Sequence, residues 1–393
     1  MAVSPAMELH AEQPGIVDAI TGGTPGGMAR YRYEFVDDEG FDENANASTL
    51  LLRLKYKTAP YAGLSGFVEF DYVGELFVND FNSGSGTSSP DRDRFPVVAD
   101  PKGPDLNQLF LSYAPSEHWN FRVGRRVLNL DDWRFVGGVV WRQNEQAYDG
   151  VELNFSGIEN TRVFYSYVNR VRRIFGTTVP AGSHRQDTHL LNVKHTVSEN
   201  LSLVGFAYLI DNEDEPAFST RTYGLRAQGG LDMGGGRMSL LGEIAFQSSA
   251  YNAPVDFDAN FVQLQAIWSR GAWSFGVGHE LLGSDNGQGF RTPLATLHKF
   301  NGWADLFLTT PGAGLQDTYL RLDYNFDAWN LTVRYHDFRA DAGSEKYGTE
   351  LDAQATRKFG KHLALLLKGA HFTTDSTDFR DTSKLWVMLT ASF

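Results

Sequence analysis

Positive charge recurs at alternate residues in several stretches of this chain: Arg30 and Arg32; Arg53, Lys55 and Lys57; Arg122 and Arg126, with Arg321 and Arg334 on two later segments. Residues two apart share one face of an extended strand, so these cations form rows. Glu34, Glu69, Asp71, Glu152, Glu243, Glu280, Asp323, Glu350 and Asp352 fall on the same faces. Guanidinium forks oriented by acids suit anions, because a carboxylate matches the fork in two hydrogen bonds. Catalysis finds no such arrangement. Ser183-His184 and His336-Asp337 are adjacent, which on a strand puts the two side chains of each pair on opposite faces. The sequence holds neither a nucleophile elbow nor an HExxH motif. Gly234-Gly235-Gly236 lies in a turn with no helix after it to cradle phosphate. His195, His279, His336 and His371 are scattered, as ordinary barrel residues are. No catalytic residue, metal site or cofactor is expected.

The elements that must carry these rows are strands, read from alternation of period two. About eighteen occur. The first nine lie near 28–36, 48–58, 63–74, 106–114, 119–128, 148–156, 160–170, 187–197 and 200–210. The others lie near 220–231, 236–248, 259–269, 272–282, 315–326, 329–339, 347–358, 362–373 and 384–393. The face opposite the charges is apolar, with Tyr31, Tyr33 and Phe35, then Leu50, Leu52 and Leu54, as examples. The chain ends on an alternating strand with an aromatic terminus, Leu385, Val387, Leu389, Ala391 and Phe393 on one side. Trp119, Trp273 and Trp329 each begin a strand after a short turn, where an interfacial aromatic belt belongs.

Connections alternate in length. Short turns at 59–62, 115–118, 157–159, 197–199, 233–236, 270–271, 327–328 and 360–361 alternate with longer loops, notably 75–105, 129–147, 172–185 and 283–314. This pattern predicts an all-β fold: a transmembrane, antiparallel up-and-down barrel with short periplasmic turns and long extracellular loops. Residues 28–393 form the barrel, and 1–27, rich in Gly and Pro, a periplasmic tail or lumen plug. Met1 to His10 has neither a basic nor an apolar leader region, so the numbering is expected to start at a processed form.

Composition agrees. The 393 residues are 42% hydrophobic and 13% aromatic, with 40 glycines and no cysteine. No run approaches the roughly 18 apolar residues of a spanning helix. The formal charge of −13 excludes a nucleic-acid binder. Acidic loops such as Asp37-Asp38-Glu39 and 211–215 are solvated surface, or else hold divalent cations that bridge lipopolysaccharide phosphates. A charge on the lipid face costs roughly 2–4 kcal/mol at mid-membrane, so the charged faces must line a watery lumen. By parity that lumen holds about fourteen basic groups, Arg162, Lys194, Arg226, Lys368 and Lys384 among them, against nine acidic ones. The excess favours an anion as the solute.

Two segments resemble the alginate-export family of outer-membrane proteins: GRRVLNLDDWRFVGGVVWRQNEQAYDGVEL, from Gly124, and TPLATLHKFNGWADLFLTTPGAGLQDTYL, within 281–320. The first departs from the family pattern in having Arg126 where a glutamine is expected and no arginine near Gln146. The resemblance implies an eighteen-stranded barrel with an arginine-rich constriction through which an anionic polyuronate passes. Arg53, Arg122, Arg125, Arg126, Arg162, Arg321 and Arg334 would line the path, oriented by Glu69, Glu152 and Asp323. It also implies inward or gating loops: 129–147 with Arg134, Trp141 and Arg142, and 283–314 with His298, Lys299, Trp303 and Asp305.

Three functions follow from these readings. The first is passive passage of an anionic polysaccharide or oligosaccharide, and the second is a porin for small anions. The third is a non-conducting structural or adhesion barrel whose lumen is closed by residues 1–27 and the loops. Expected partners are outer-membrane lipid and lipopolysaccharide, the anionic solute, and a periplasmic export or uptake partner, around a monomeric barrel.

Overall fold

The computed structural model describes residues 15–84, 92–176 and 179–393. Strands β1 (Thr24–Asp38), β2 (Ala45–Lys57), β3 (Leu64–Asp80), β4 (Gly103–Ser116), β5 (Trp119–Arg126) and β6 (Ala147–Ile158) come first. They are followed by β7 (Thr161–Arg172), β8 (Ser183–Ser198), β9 (Leu201–Ile210), β10 (Thr220–Met233), β11 (Gly236–Ser249), β12 (Asp258–Arg270) and β13 (Trp273–Leu282). A two-residue ladder, β14 (Ser284–Asp285) with β15 (Gln288–Gly289), belongs to a loop and not to the wall. The wall resumes with β16 (Leu315–Phe326), β17 (Trp329–Arg339), β18 (Lys346–Phe359), β19 (Leu363–Thr374) and β20 (Thr382–Ser392).

These 18 strands form one antiparallel sheet in which each pairs with the next along the chain. Closure comes from β20 against β1, from Met28↔Ser392 to Asp38↔Thr382. A closed barrel satisfies every strand edge, as a bilayer without water demands. Every strand anticipated from alternation has its counterpart, and the eight short turns sit at the rim that carries both ends of the barrel. Trp119, Trp273 and Trp329 open β5, β13 and β17 beside those turns.

Alternation also set the faces correctly. On β2, Leu52 and Leu54 are 46% and 64% exposed to the outside, whereas Leu51 is fully buried. Several boundaries differ by a few residues, β8 starting at Ser183 instead of 187 among them. β1 starts at Thr24 instead of 28, because Gly26 and Gly27 leave no side-chain pattern to read while their backbone still pairs with β2. Gly27 is also where the C-terminal aromatic ring packs, since a Cβ there would meet Phe393 Cζ at 2.3 Å. β3 runs on to Asp80, beyond a register shift opposite Ala47 and Thr49 that breaks the alternation.

Most of the anticipated tail or plug, residues 1–14, lies outside the described residues. Its described part, helix α1 (Ile16–Thr21), packs at the periplasmic rim, where Ala59 N donates to Ala19 O at 2.9 Å. Two loops fill the middle of the lumen.

Candidate functional site

Loops 127–146 and 283–314 turn into the barrel and meet there. Val136 and Leu294 form a parallel bridge, and Gly137 N donates to Leu294 O at 2.8 Å. Thr296 N donates to Trp133 O at 3.0 Å and Val139 N to Thr296 Oγ1 at 3.1 Å. The contact is close enough to require glycine: a Cβ on Gly137 would lie 2.2 Å from Thr296 Oγ1. From the wall, Tyr148 Oη donates to Gly137 O at 2.9 Å. Phe135 packs its ring against Phe206, Phe261 and Phe290 at 5.0, 5.3 and 6.0 Å between centroids. The larger buried apolar cluster among the described residues is therefore in the lumen, between loop and inner wall.

Charged pins fix both loops. Arg142 Nη1 reaches Glu34 of β1 at 2.9 Å and its Nη2 lies 3.5 Å from Asp305. Lys384 of β20 binds the same Asp305 oxygen at 3.0 Å. His298 Nδ1 donates to the other at 2.7 Å, while Lys368 Nζ donates to His298 Nε2 at 2.7 Å. That pattern calls for a neutral imidazole carrying its hydrogen on Nδ1. Trp141 stacks on His298 at 4.4 Å with 8° between planes, and Arg32 lies 4.4 Å over the Trp141 ring. Trp303 N and Ala304 N both donate to Glu350 of β18, the latter at 2.8 Å. Arg134 pairs with Glu280 of β13 at 2.5 Å.

The structure thus brings Trp141, Arg142, His298, Trp303 and Asp305 into one cluster. Arg134 and Lys299 stand apart from it, Arg134 with Asn301 at 3.1 Å and Lys299 donating to Asp132 O at 2.6 Å. Burial pushes the His298 imidazole down to about 3 despite Asp305 beside it. Burial opposes ionisation of Asp305 too, yet His298, Lys384 and Arg142 hold its carboxyl well below the ordinary range. The Arg142 guanidinium, desolvated by burial, is raised on balance by Glu34, Asp100 and Asp305.

Of the path residues named from sequence, several are committed to ion pairs. Arg53 binds Asp71 at 2.6 Å, Glu145 at 2.7 Å and Glu69 at 3.7 Å. Arg126 holds Glu152 at 2.5 Å, Arg122 shares that carboxylate at 3.1 Å, and Arg321 lies 2.7 Å from Asp323. Arg334 sits 5.2 Å over the Trp303 ring and, like Arg162, has no carboxylate within 4 Å among the described residues. Arg125 is a correction. Alternation puts it on the outer face with Phe121 and Val123, which are 41% and 53% exposed. There it pairs with Asp149 at 2.6 Å, away from the lumen. The parity of Phe121, Val123 and Arg125 already carried that signal.

Sequence reasoning placed Glu34, Glu350, Lys368 and Lys384 in the lumen without assigning them to the constriction. Parity gives a face but not which loop will reach it. Arg173 and Arg291, in loops 173–182 and 283–314, were not singled out, and nothing in their spacing distinguishes them. Ser183 bonds to Arg172 at 3.2 Å while His184 bonds to Asn212 at 3.0 Å, so this adjacent pair diverges as a strand requires.

Open space lies on both sides of the cluster. An outer cavity of about 390 Å³ is lined by Arg142, Arg173, Arg291, His298 and Asp305 with Phe175, Phe218 and Leu308. Arg173 and Arg291 are both lowered by burial. A smaller inner cavity of about 240 Å³ meets Arg226, Lys299, Arg321 and Arg334. A third, of about 630 Å³, opens beside the periplasmic turn at Glu117 and His118, with Arg122, Arg162 and Lys194 in its wall.

With that geometry in view, a family model described as alginate export matches residues 24–266. Among solved structures, Pseudomonas aeruginosa OccK9 (OpdG) is similar at a TM-score of 0.75 and 15% identity, over 95% of this chain and 99% of that one. Acinetobacter baumannii OccAB4 is similar at 0.72 and 13%, over 94% and 98%. The structure of Pseudomonas aeruginosa OpdK with vanillate is similar at 0.74 and 12%, over 95% and 99%. No curated protein matches the chain.

Proposed function

The chain belongs to the alginate-export family of outer-membrane β-barrels, and from that premise we propose that it is an anion-selective channel for small carboxylate-bearing saccharides of the uronic-acid class. It lies in the bacterial outer membrane and is a channel protein by family and fold. The observation that carries the selectivity is the unequal pairing of lumen charges. Carboxylates such as Glu34, Glu69, Glu152, Asp305 and Asp323 each have a cation within 4 Å, with Asp131 and Glu350 satisfied by Asn192 and by backbone N–H groups. Arg173 and Arg291 in the outer cavity, Arg334 beyond the cluster, and Arg162 and Lys194 near the periplasm have no such carboxylate among the described residues. A solute anion passing along them meets several weak sites in succession and no deep one, as conduction requires.

Size favours the saccharide over the polymer. Two loops pinned across the lumen leave cavities that suit one or two sugar residues, and a long polyuronate would need both loops withdrawn. Aromatic rings at the outer cavity, Phe175 and Phe218, offer faces for the apolar side of a sugar ring. A neighbouring fold was solved with vanillate, itself a carboxylate. No catalytic step is part of this reading.

Planar-bilayer recording tests it. An anion-selective reversal potential is expected, with glucuronate and its dimer carrying current as the sole anion and long polyuronate added outside leaving the current unchanged. Arg162→Glu with Lys194→Glu, and separately Arg321→Glu with Arg334→Glu, should move the reversal potential toward cation selectivity. Unchanged potentials in both doubles would remove these residues from the path and the reading with them.

A further inference from the structure

The outer cavity ends at a carboxylate site that the chain fills with its own side chain. Asp305 takes Arg142 from the other loop at 3.5 Å, Lys384 from β20 at 3.0 Å and His298 at 2.7 Å. These four side chains are between 4% and 8% exposed. Removing one partner from a buried ion pair leaves an uncompensated charge, so pulling Asp305 out of such a group is strongly unfavourable. If Asp305 left alone, Lys384 would lose the one carboxylate within 4 Å of it among the described residues, and Arg142 would keep Glu34 as its paired carboxylate. An incoming carboxylate removes that obstacle, because it replaces one negative charge by another on the same cations. Access is on the right side: Arg142, His298 and Asp305 all line the outer cavity, below Arg173 and Arg291.

We propose that Asp305 stands in for the permeant: a solute carboxylate entering the outer cavity displaces it from Arg142 and Lys384, and the exchange frees the loop so that the solute opens its own route. The inference rests on the anion-channel reading and adds its regulation. A neutral sugar of equal size brings no charge to exchange and leaves the loop docked. The second anchor of the same loop is of a different kind. Glu350 accepts two backbone N–H groups, from Trp303 and Ala304, and this anchor stays in place while the segment that follows it from Asp305 is released.

The experiment is single-channel recording of the full chain, with glucuronate as the charged probe and glucose as its neutral match. In the parent protein glucuronate should raise the open fraction several-fold and glucose should not. D305N should be open several-fold more without glucuronate and gain little from it, while D305E should behave as the parent. If D305N does not insert, K384Q serves, with the glucuronate response shifted to higher concentration. A D305N channel as closed as the parent and equally responsive, a K384Q response that does not shift, or opening by glucose would each overturn the proposal. Reversal potentials from the same records test the underlying reading separately. Loss of anion selectivity fails the channel reading, whereas anion-selective current with an indifferent D305N fails only the stand-in role.

Discussion

The constriction and the periplasmic vestibule are built from the same residue types and use them in opposite ways. At the constriction Arg134, Arg142, Glu280 and Glu34 have side chains no more than 8% exposed, and each is paired. In the vestibule Arg122 is 40% exposed, and Arg162 and Lys194 line the open 630 Å³ space. Depth in the wall decides the role. A desolvated cation that loses its anion is left uncompensated, so paired arginines such as Arg134 and Arg142 become structural pins, whereas a hydrated cation stays available to whatever passes. The arginine content of a barrel lumen therefore overstates its capacity for solute.

The harshest way to break this contrast is to cut a pin. Arg134→Ala leaves Glu280 buried without its cation and also removes the bond to Asn301. A loss of about 3–5 kcal/mol is expected from an uncompensated buried charge. Denaturant unfolding in detergent measures it. A loss below 1 kcal/mol would place Glu280 in contact with water and undo the distinction between the two regions.

A smaller effect comes from pH at the docked loop. His298 is neutral there, its pKa pushed down to about 3, whereas an undocked imidazole titrates near its ordinary 6.5. A histidine lowered by docking binds its proton more readily once released. Its contribution is therefore complete above about 6.5 and is lost progressively as the pH falls toward 3. Between pH 7 and pH 5 docking should weaken by about 2 kcal/mol. Asp305, held below the ordinary carboxyl range, keeps its charge through that window and adds nothing to the change. Mean conductance should rise from pH 7 to pH 5 in the parent and stay flat in His298→Gln. Equal conductance at both values in the parent would show that the loop's docking is not linked to this ring.

The two regions were also unequally legible in the sequence. Wall and vestibule follow from alternation, because lipid on one side and water on the other impose period two on every strand. Arg162 and Lys194 were read as lumen residues on that basis. Arg125 was misplaced when the path was drawn from family resemblance rather than from its own parity with Phe121 and Val123. The constriction was half legible. The resemblance singled out both loops, but pairs such as Arg134 with Glu280, or Asp305 with Lys384, join distant segments by loop paths that no local period encodes. Glu34 and Lys384 looked like any other lumen charges for that reason.

The sharpest version of the contrast lies within one carboxylate. Glu152 is shared by Arg126, whose side chain is 2% exposed, and by Arg122, which is 40% exposed. Both arginines are on β5 and face inward, so strand, partner and chemistry are held constant and only hydration differs. Arg122→Ala should cost about 0–1 kcal/mol, as solvent-exposed pairs do, because Arg126 still neutralises Glu152. The same substitution should still reduce anion selectivity, since Arg122 belongs to the wall of the vestibule. A reversal potential unchanged by Arg122→Ala, together with a stability loss as large as that of Arg134→Ala, would mean that exposure does not separate pins from path in this barrel.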